Sequence, residues 1–325
     1  MNAHRVLMIA PTPFFADRGC HVRILEEIRA LRALGHEVSL CTYHHGRTPP
    51  GLRVRRSVRV PWYRRLSAGP SLHKTYVDVL LLASVLREGR RFRPDVIHAH
   101  LHEGAAVGAV ARRALDAPLL VDLQGSLTSE LLDHGFIRSR WAQAGFRRIE
   151  RWLDGVGDAV VVSTELGGDQ ARAFGVPAER LHLVPDGIDV EGFAPLTSEV
   201  RREARRLWGL DPDRPLVVFT GVLTQHQGIQ FLLQAAESLR TASGEPQFVI
   251  AGYPEEDYRE EARRRGLANV VFLGRVPYES MTSLLALADV AVSPKLSASE
   301  GNLKLYSYMA AGLPVVVFDN PTNRS

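Results

Sequence analysis

Short runs of Val, Ile and Leu, each followed by a helical pattern, recur along this chain and then begin again after residue 185. No other feature of the sequence restricts the fold as much. In the first half the strand-like runs fall at residues 6–10, 37–42, 52–58, 95–98, 119–123, 159–163 and 181–184, with helical patterns such as 22–34 and 105–115 between them. In the second half strands are predicted at 216–220, 248–251, 270–273, 290–293 and 314–318, alternating with helices at 230–240, 255–266, 278–287 and 302–311. Continuous apolar runs of this length predict parallel strands covered on both faces. Their alternation with helices predicts a doubly wound α/β sheet. Between the halves, Pro185-Asp186-Gly187-Ile188-Asp189 is rich in turn formers and suits a hinge. The expected fold is therefore two Rossmann-like domains, residues 1–184 and 185–325, facing each other across a cleft. Ligands bind in such sheets at the carboxyl edges of the strands. Ser325 follows directly on a strand run, so the second domain is expected to be incomplete.

Bulk properties agree with two globular domains. The chain has 325 residues, of which 45% are apolar and 23% charged, ordinary values for a protein with a real core. The longest apolar stretch, 79–86, is far shorter than the roughly 20 residues that span a bilayer. The opening residues read as a first strand rather than a leader peptide. Cys20 and Cys41 supply neither a disulfide framework nor a metal-binding spacing, which fits a reducing cytoplasm.

Charge is uneven. Residues 1–185 carry 26 Lys and Arg against 18 Asp and Glu, while the remainder carries 14 against 18. No acid interrupts residues 38–77, where Arg47, Arg53, Arg55, Arg56, Arg59, Arg64, Arg65 and Lys74 fall. Such a run attracts anionic partners such as a phospholipid face, and peripheral association with the inner face of the membrane through Arg53 to Lys74 is one reading. A solvated loop in an Arg-rich chain is the other: there are 37 arginines and only three lysines. Nucleic acid is not expected, because no recognisable binding module accompanies the charge. Trp62 and Tyr63 within this run read either as an interfacial anchor or as loop aromatics folded onto the domain.

The most informative segment is 293–316. It reads strand, polar loop, helix start, Gly312 cap, strand. A helix start opening onto a cleft presents unpaired N–H groups and the positive end of the helix dipole, an anion site. Glu300 and Lys304 add groups that can hold a sugar hydroxyl and a phosphate. An ordinary crossover loop facing water is the plain alternative.

At this point the sequence resembles the glycosyltransferase family 4 group, retaining enzymes of the two-Rossmann GT-B fold. Residues 10–21, Ala-Pro-Thr-Pro-Phe-Phe-Ala-Asp-Arg-Gly-Cys-His, resemble the glycine loop that leads the first helix of that family. Val184-Pro185-Asp186-Gly187-Ile188-Asp189 is similar to its interdomain signature, and Thr220-Gly221-Val222-Leu223-Thr224-Gln225-His226-Gln227-Gly228 to its donor loop. The resemblance implies a nucleotide-sugar donor, a glycan or lipid-linked acceptor, no cofactor and no catalytic metal. It implies donor contacts from Gly19, Gly221, Gln227, Glu300, Gly301, Asn302, Leu303, Lys304 and Ser307, with Gln124, Glu300 and Lys304 nearest the chemistry. Val222 and Gln227 stand where the family has an Arg and a Lys on the diphosphate, so this chain falls with a branch bearing Gln there. Ser307 takes the place of a ribose-binding Glu, and Gln124 that of a His. Glutamine can donate a hydrogen bond but cannot shuttle a proton.

His98, His100 and His102 alternate, so on one strand they would share a face. Cleft hydrogen bonding by His100 and His102 beside Asp186 is preferred to three imidazoles on a metal, and packing is the plain reading. A nicotinamide dehydrogenase is disfavoured because Pro-Thr-Pro-Phe-Phe, not a glycine fingerprint, follows the first strand. The alternatives kept are a non-catalytic binding subunit and a sugar-nucleotide epimerase on the same fold.

Overall fold

The structure is a computed structural model and describes residues 2–64, 66, 71–133, 135–240, 244–296 and 301–324. The strands and helices of the first half are β1 (Arg5–Ala10), α1 (Gly19–Ala33), β2 (Glu37–Thr42), β3 (Val54–Arg56), α2 (Leu72–Phe92), β4 (Val96–His100), α3 (Leu101–Leu115), β5 (Leu119–Leu123), α4 (Leu127–Asp133), α5 (Arg140–Asp154), β6 (Ala159–Val162), α6 (Glu165–Ala173) and β7 (Leu181–Leu183). They build one parallel sheet in the order β3-β2-β1-β4-β5-β6-β7. β1 lies inside the sheet between β2 and β4 and is buried from Val6 onward. One apolar cluster covers each face of the sheet: one contains Leu7, Ile9, Leu81 and Val121, the other Val6, Met8, Ile24 and Leu40. Burial on both faces is what the unbroken Val/Ile/Leu runs require.

The second half continues with α7 (Ser198–Leu207), β8 (Leu216–Thr220), α8 (Ile229–Ser238), β9 (Gln247–Ala251), α9 (Glu256–Arg264), β10 (Val270–Gly274), α10 (Met281–Leu285), β11 (Val290–Ser293), α11 (Lys304–Ala310), β12 (Val315–Val317) and α12 (Pro321–Arg324). Its parallel sheet runs β10-β9-β8-β11-β12, again with an apolar cluster on each side. In each sheet the strand order reverses once, beside β1 and beside β8, and the crevice at such a reversal receives ligands.

Local signals explain several boundaries. Ser71, Ser139, Thr164 and Thr197 each cap a helix by accepting from a backbone N–H of its first turn. α3 lies close over the sheet because Gly108 has no side chain: a Cβ there would sit 2.7 Å from Leu119 Cδ1. Among the described residues no helix is long and apolar enough to cross a membrane.

Two expectations need correction. β4 runs to His100, not 98, and Leu101 then takes a left-handed φ of 63° to start α3 at once. His102 is therefore on a helix, and the three histidines do not share a strand face. The helix expected at 302–311 is shorter, Lys304–Ala310, because Asn302 stays in the loop with its amide donated to Ser293 Oγ and Asn323 Oδ1.

Candidate active site

The carboxyl ends of the two sheets enclose a cleft of about 350 Å³ lined from both halves of the chain. From the first half come the loop after β1, with Asp17, Arg18 and Gly19, and the loop after β5, with Gln124 and Ser126. From the second come Gly221, Val222 and Gln227 after β8, Gly252 and Tyr253 after β9, and Gly301, Asn302, Leu303, Lys304 and Ser307 around the start of α11. Of the residues expected at the site, Gly19, Gln124, His102, Asp186, Gly221, Gln227, Gly301, Asn302, Leu303, Lys304 and Ser307 all line this cleft. Glu300 lies outside the described residues. His100 does not line the cleft: it is fully buried beneath the floor, its Nδ1 2.9 Å from Asp122 Oδ2. His102 is also buried and turns toward Asp154 at 3.2 Å, which with Glu150 keeps its imidazole readier to hold a proton in spite of burial.

On the second-domain side the geometry centres on Lys304. Its Nζ donates to Gln227 Oε1 at 2.6 Å and sits 4.3 Å over the Phe219 ring. Burial, and then the nearby charge of Lys295, lower its pKa to about 7. Lys295 in turn donates to Gly301 O at 2.8 Å. Two ammonium groups thus approach the same corner of the cleft. The loops around them are fixed by close contact: a Cβ on Gly228 would fall 2.0 Å from Pro294 O, and one on Gly252 1.9 Å from Gly221 O.

The floor on the other side is a buried ionic network centred on Arg23. Its guanidinium meets Asp122 through Nε and Nη2 at 3.0 and 2.9 Å, Asp186 at 2.9 Å and Glu27 at 3.0 Å, and donates to Val184 O. Burial alone would keep Asp122 protonated, but the His100 hydrogen bond and the Arg23 charge hold its carboxyl far below the usual range. Gln124 Nε2 donates to Asp122 Oδ2 at 2.9 Å, which links this network to the cleft wall. A separate set ties the halves together. Asp17 accepts from Arg47 at 2.7 Å, Arg275 at 2.6 Å and the Tyr278 amide at 3.0 Å, while Tyr253 Oη donates to Ala16 O at 2.6 Å.

Sequence reasoning missed Arg23, Asp122, Lys295 and Asp17. One signal was available. The chain has three lysines among 37 arginines, and all three, Lys74, Lys295 and Lys304, line the cleft.

With this geometry in hand, known proteins decide the family. Residues 18–187 match the glycosyl transferase 4-like domain, more than half of the chain, and residues 214–325 match glycosyl transferases group 1. The chain belongs to the glycosyl transferase 4-like family. This family member is 28% identical over 318 residues to the sulfoquinovosyl transferase of Arabidopsis thaliana, covering 95% of its own length but 58% of that protein. In structure it resembles the sucrose-phosphate synthase of Thermosynechococcus elongatus, with a TM-score of 0.76 at 19% identity over 97% of this chain and 81% of the other. It also resembles Anabaena HepE in complex with UDP-glucose, with a TM-score of 0.74 at 16% identity over 99% and 82%. The fold of this glycosyl transferase 4-like chain is GT-B.

Proposed function

We propose that this protein transfers a sugar from a nucleotide-diphosphate donor to a glycan or lipid-linked acceptor, with retention of configuration and without a metal in the transfer step. The observation that carries the reading is the paired approach of Lys304 and Lys295 beside Gly221, Gln227 and Gly301 at the carboxyl edge of the second sheet. Breaking the sugar–phosphate bond leaves a diphosphate gaining charge, and preorganised donors aimed at it lower the barrier, with one donor typically worth about 3–4 kcal/mol. In this branch Gln227, which takes the family's Lys position, works through Lys304: its amide oxygen orients the ammonium that meets the phosphate. Residues 1–184 hold the acceptor and residues 185–325 the donor, with Ser307 and Glu300 at the ribose and sugar and Gln124 at a hydroxyl of the transferred sugar. The UDP-glucose bound by the Anabaena neighbour supports a nucleotide donor of this class.

A thermal-shift panel of nucleoside diphosphates tests the reading, since a ligand selective for the native state raises its apparent stability. One base is expected to stand out, and the matching sugar nucleotide to be turned over without added Mg²⁺ or Mn²⁺. Lys304→Ala is expected to lower that turnover at least about a hundredfold. An unchanged rate removes Lys304 from the mechanism, and nucleotide binding without transfer makes the protein a binding subunit.

A further inference from the structure

Beneath the cleft floor, three unpartnered atoms converge. His98 and His100 lie two residues apart on β4 and so face the same side, with ring centroids 4.3 Å apart. Opposite them stands Glu27 of α1. Its Oε2 lies 3.7 Å from His98 Nε2 and 3.8 Å from His100 Nε2. All three atoms are buried and none has a hydrogen-bond partner among the described residues. Unsatisfied buried polar atoms are rare in native proteins and require an explanation, and three aimed at one point require a common one.

We propose that Glu27, His98 and His100 bind a borderline divalent transition-metal ion of the zinc type. The separations suit it. Two donor atoms 3.7–3.8 Å apart can each lie roughly 2.0–2.2 Å from one ion. A proton explains less, because at those distances a protonated Glu27 makes a hydrogen bond to neither imidazole. The surroundings are those of a metal site. Asp122 accepts from His100 Nδ1 at 2.9 Å, which leaves the Nε2 lone pair free for the ion and fixes the ring. That carboxylate–histidine pairing is the usual outer support of a zinc ligand. Glu27 gives its other oxygen, Oε1, to Arg23, so Oε2 alone remains.

Charge argues the same way. The Arg23 guanidinium is shared by the carboxylates of Glu27, Asp122 and Asp186, and a buried surplus of negative charge is costly unless compensated. A dication at Glu27 offsets it. The donor set of two imidazoles and one carboxylate selects zinc or a neighbouring d-block ion over magnesium or calcium. The Glu27 side chain is 23% exposed although its Oε2 is buried, and a water would complete the four ligands such an ion takes. This differs from a metal on three histidines, since His102 belongs to α3 and pairs with Asp154. The site lies under the cleft rather than in it, and does not depend on the donor reading above.

The full chain, purified without chelator, stripped and then titrated with Zn²⁺ or Co²⁺, provides the test. One equivalent is expected to bind, Zn²⁺ raising the melting temperature and Co²⁺ giving the intense visible bands of a low-coordinate site. X-ray absorption of the zinc form is expected to count two imidazoles. Glu27→Gln and His98→Gln are each expected to abolish stoichiometric binding, Asp122→Asn to weaken it roughly 10–100-fold, and the exposed His182→Gln to leave it intact. Absence of stoichiometric binding by the wild-type chain, or binding unaltered in folded Glu27→Gln and His98→Gln, overturns the proposal. Should those variants fail to fold, a wild-type absorption spectrum without two imidazoles overturns it equally.

Discussion

A lysine amine buried beside a second lysine holds its proton weakly, and Lys304, with a pKa of about 7, is such a group. Its consequence for ligands has a definite sign. The depressed folded value means that the free protein loses this charge as pH rises through 7, while an anionic ligand favours the charged form. Nucleoside diphosphate affinity is therefore expected to be flat below about pH 7 and to weaken up to tenfold per pH unit above it. Titration calorimetry over pH 6–9 measures this, and Lys304→Met is expected to remove the slope along with most of the affinity. For the free protein the same shift acts the other way. Between pH 7 and the unfolded value of 10.5 the unfolded chain binds more protons, so this group adds stability as pH rises. Stability and ligand affinity thus move in opposite directions across one titration.

At the scale of elements, the basic run through residues 53–74 proves to be divided. Arg53 and Arg55 are taken up by Glu88, Arg53 also by Glu37, Arg56 by backbone carbonyls, and Lys74 by Glu103. No described acid pairs with Arg59 or Arg64, and between them Trp62 is 75% exposed while Tyr63 is packed inside. α5 has a similar exposed composition, with Trp141 and Trp152 among Arg140, Arg147, Arg148 and Arg151. The membrane reading rests on these residues, since Arg without an acid partner beside exposed Trp suits an anionic lipid face. Arg59→Glu with Trp62→Ser is expected to reduce co-sedimentation with anionic liposomes at low salt several-fold, and Trp141→Ser with Trp152→Ser to do likewise. No sedimentation of the unaltered protein would retire this reading. Strands were the most legible elements because buried parallel strands need unbroken Val and Ile. The β4–α3 junction was not, since His-Ala-His-Leu-His alternates like a strand and only the left-handed turn at Leu101 ends it. α4 and α5 were not anticipated: Leu127–Asp133 is too short to show a helical period, and Arg140–Asp154 buries only Glu150, Leu153 and Asp154, so it carries no apolar stripe to read. At the site, the glycine loops and Lys304 were legible from local residue types. Arg23 and Asp122 were not, being 99 positions apart in sequence and joined only by the fold.

For the whole molecule, the relation of the two halves depends on a set of polar contacts together with Tyr278 and Leu303, which pack against the first-half cluster of Phe14 and Phe15. Asp17 receives Arg47, Arg275 and the Tyr278 amide, and Arg47 also reaches Glu279 at 2.7 Å. Burial raises the Asp17 pKa, but the two arginines and the amide outweigh it and leave the carboxyl below its usual value. Its contribution is therefore fully present above the unfolded value of 3.8 and is lost as pH falls through the lower folded value. Asp17→Asn at neutral pH is expected to loosen this closed arrangement, read as a larger radius of gyration in solution scattering and weaker nucleotide binding, with little change in either domain's own unfolding. An unchanged scattering profile would show that the clamp is dispensable. One further consequence belongs to the composition of the whole chain. Because every ε-amine it possesses borders the same crevice, acylating reagents act as a built-in footprint of that crevice. Lys304, with its lowered pKa, is acylated near neutrality before Lys74, whose pKa the Glu103 carboxylate raises in spite of burial, and a bound ligand or a change of interdomain angle registers as protection.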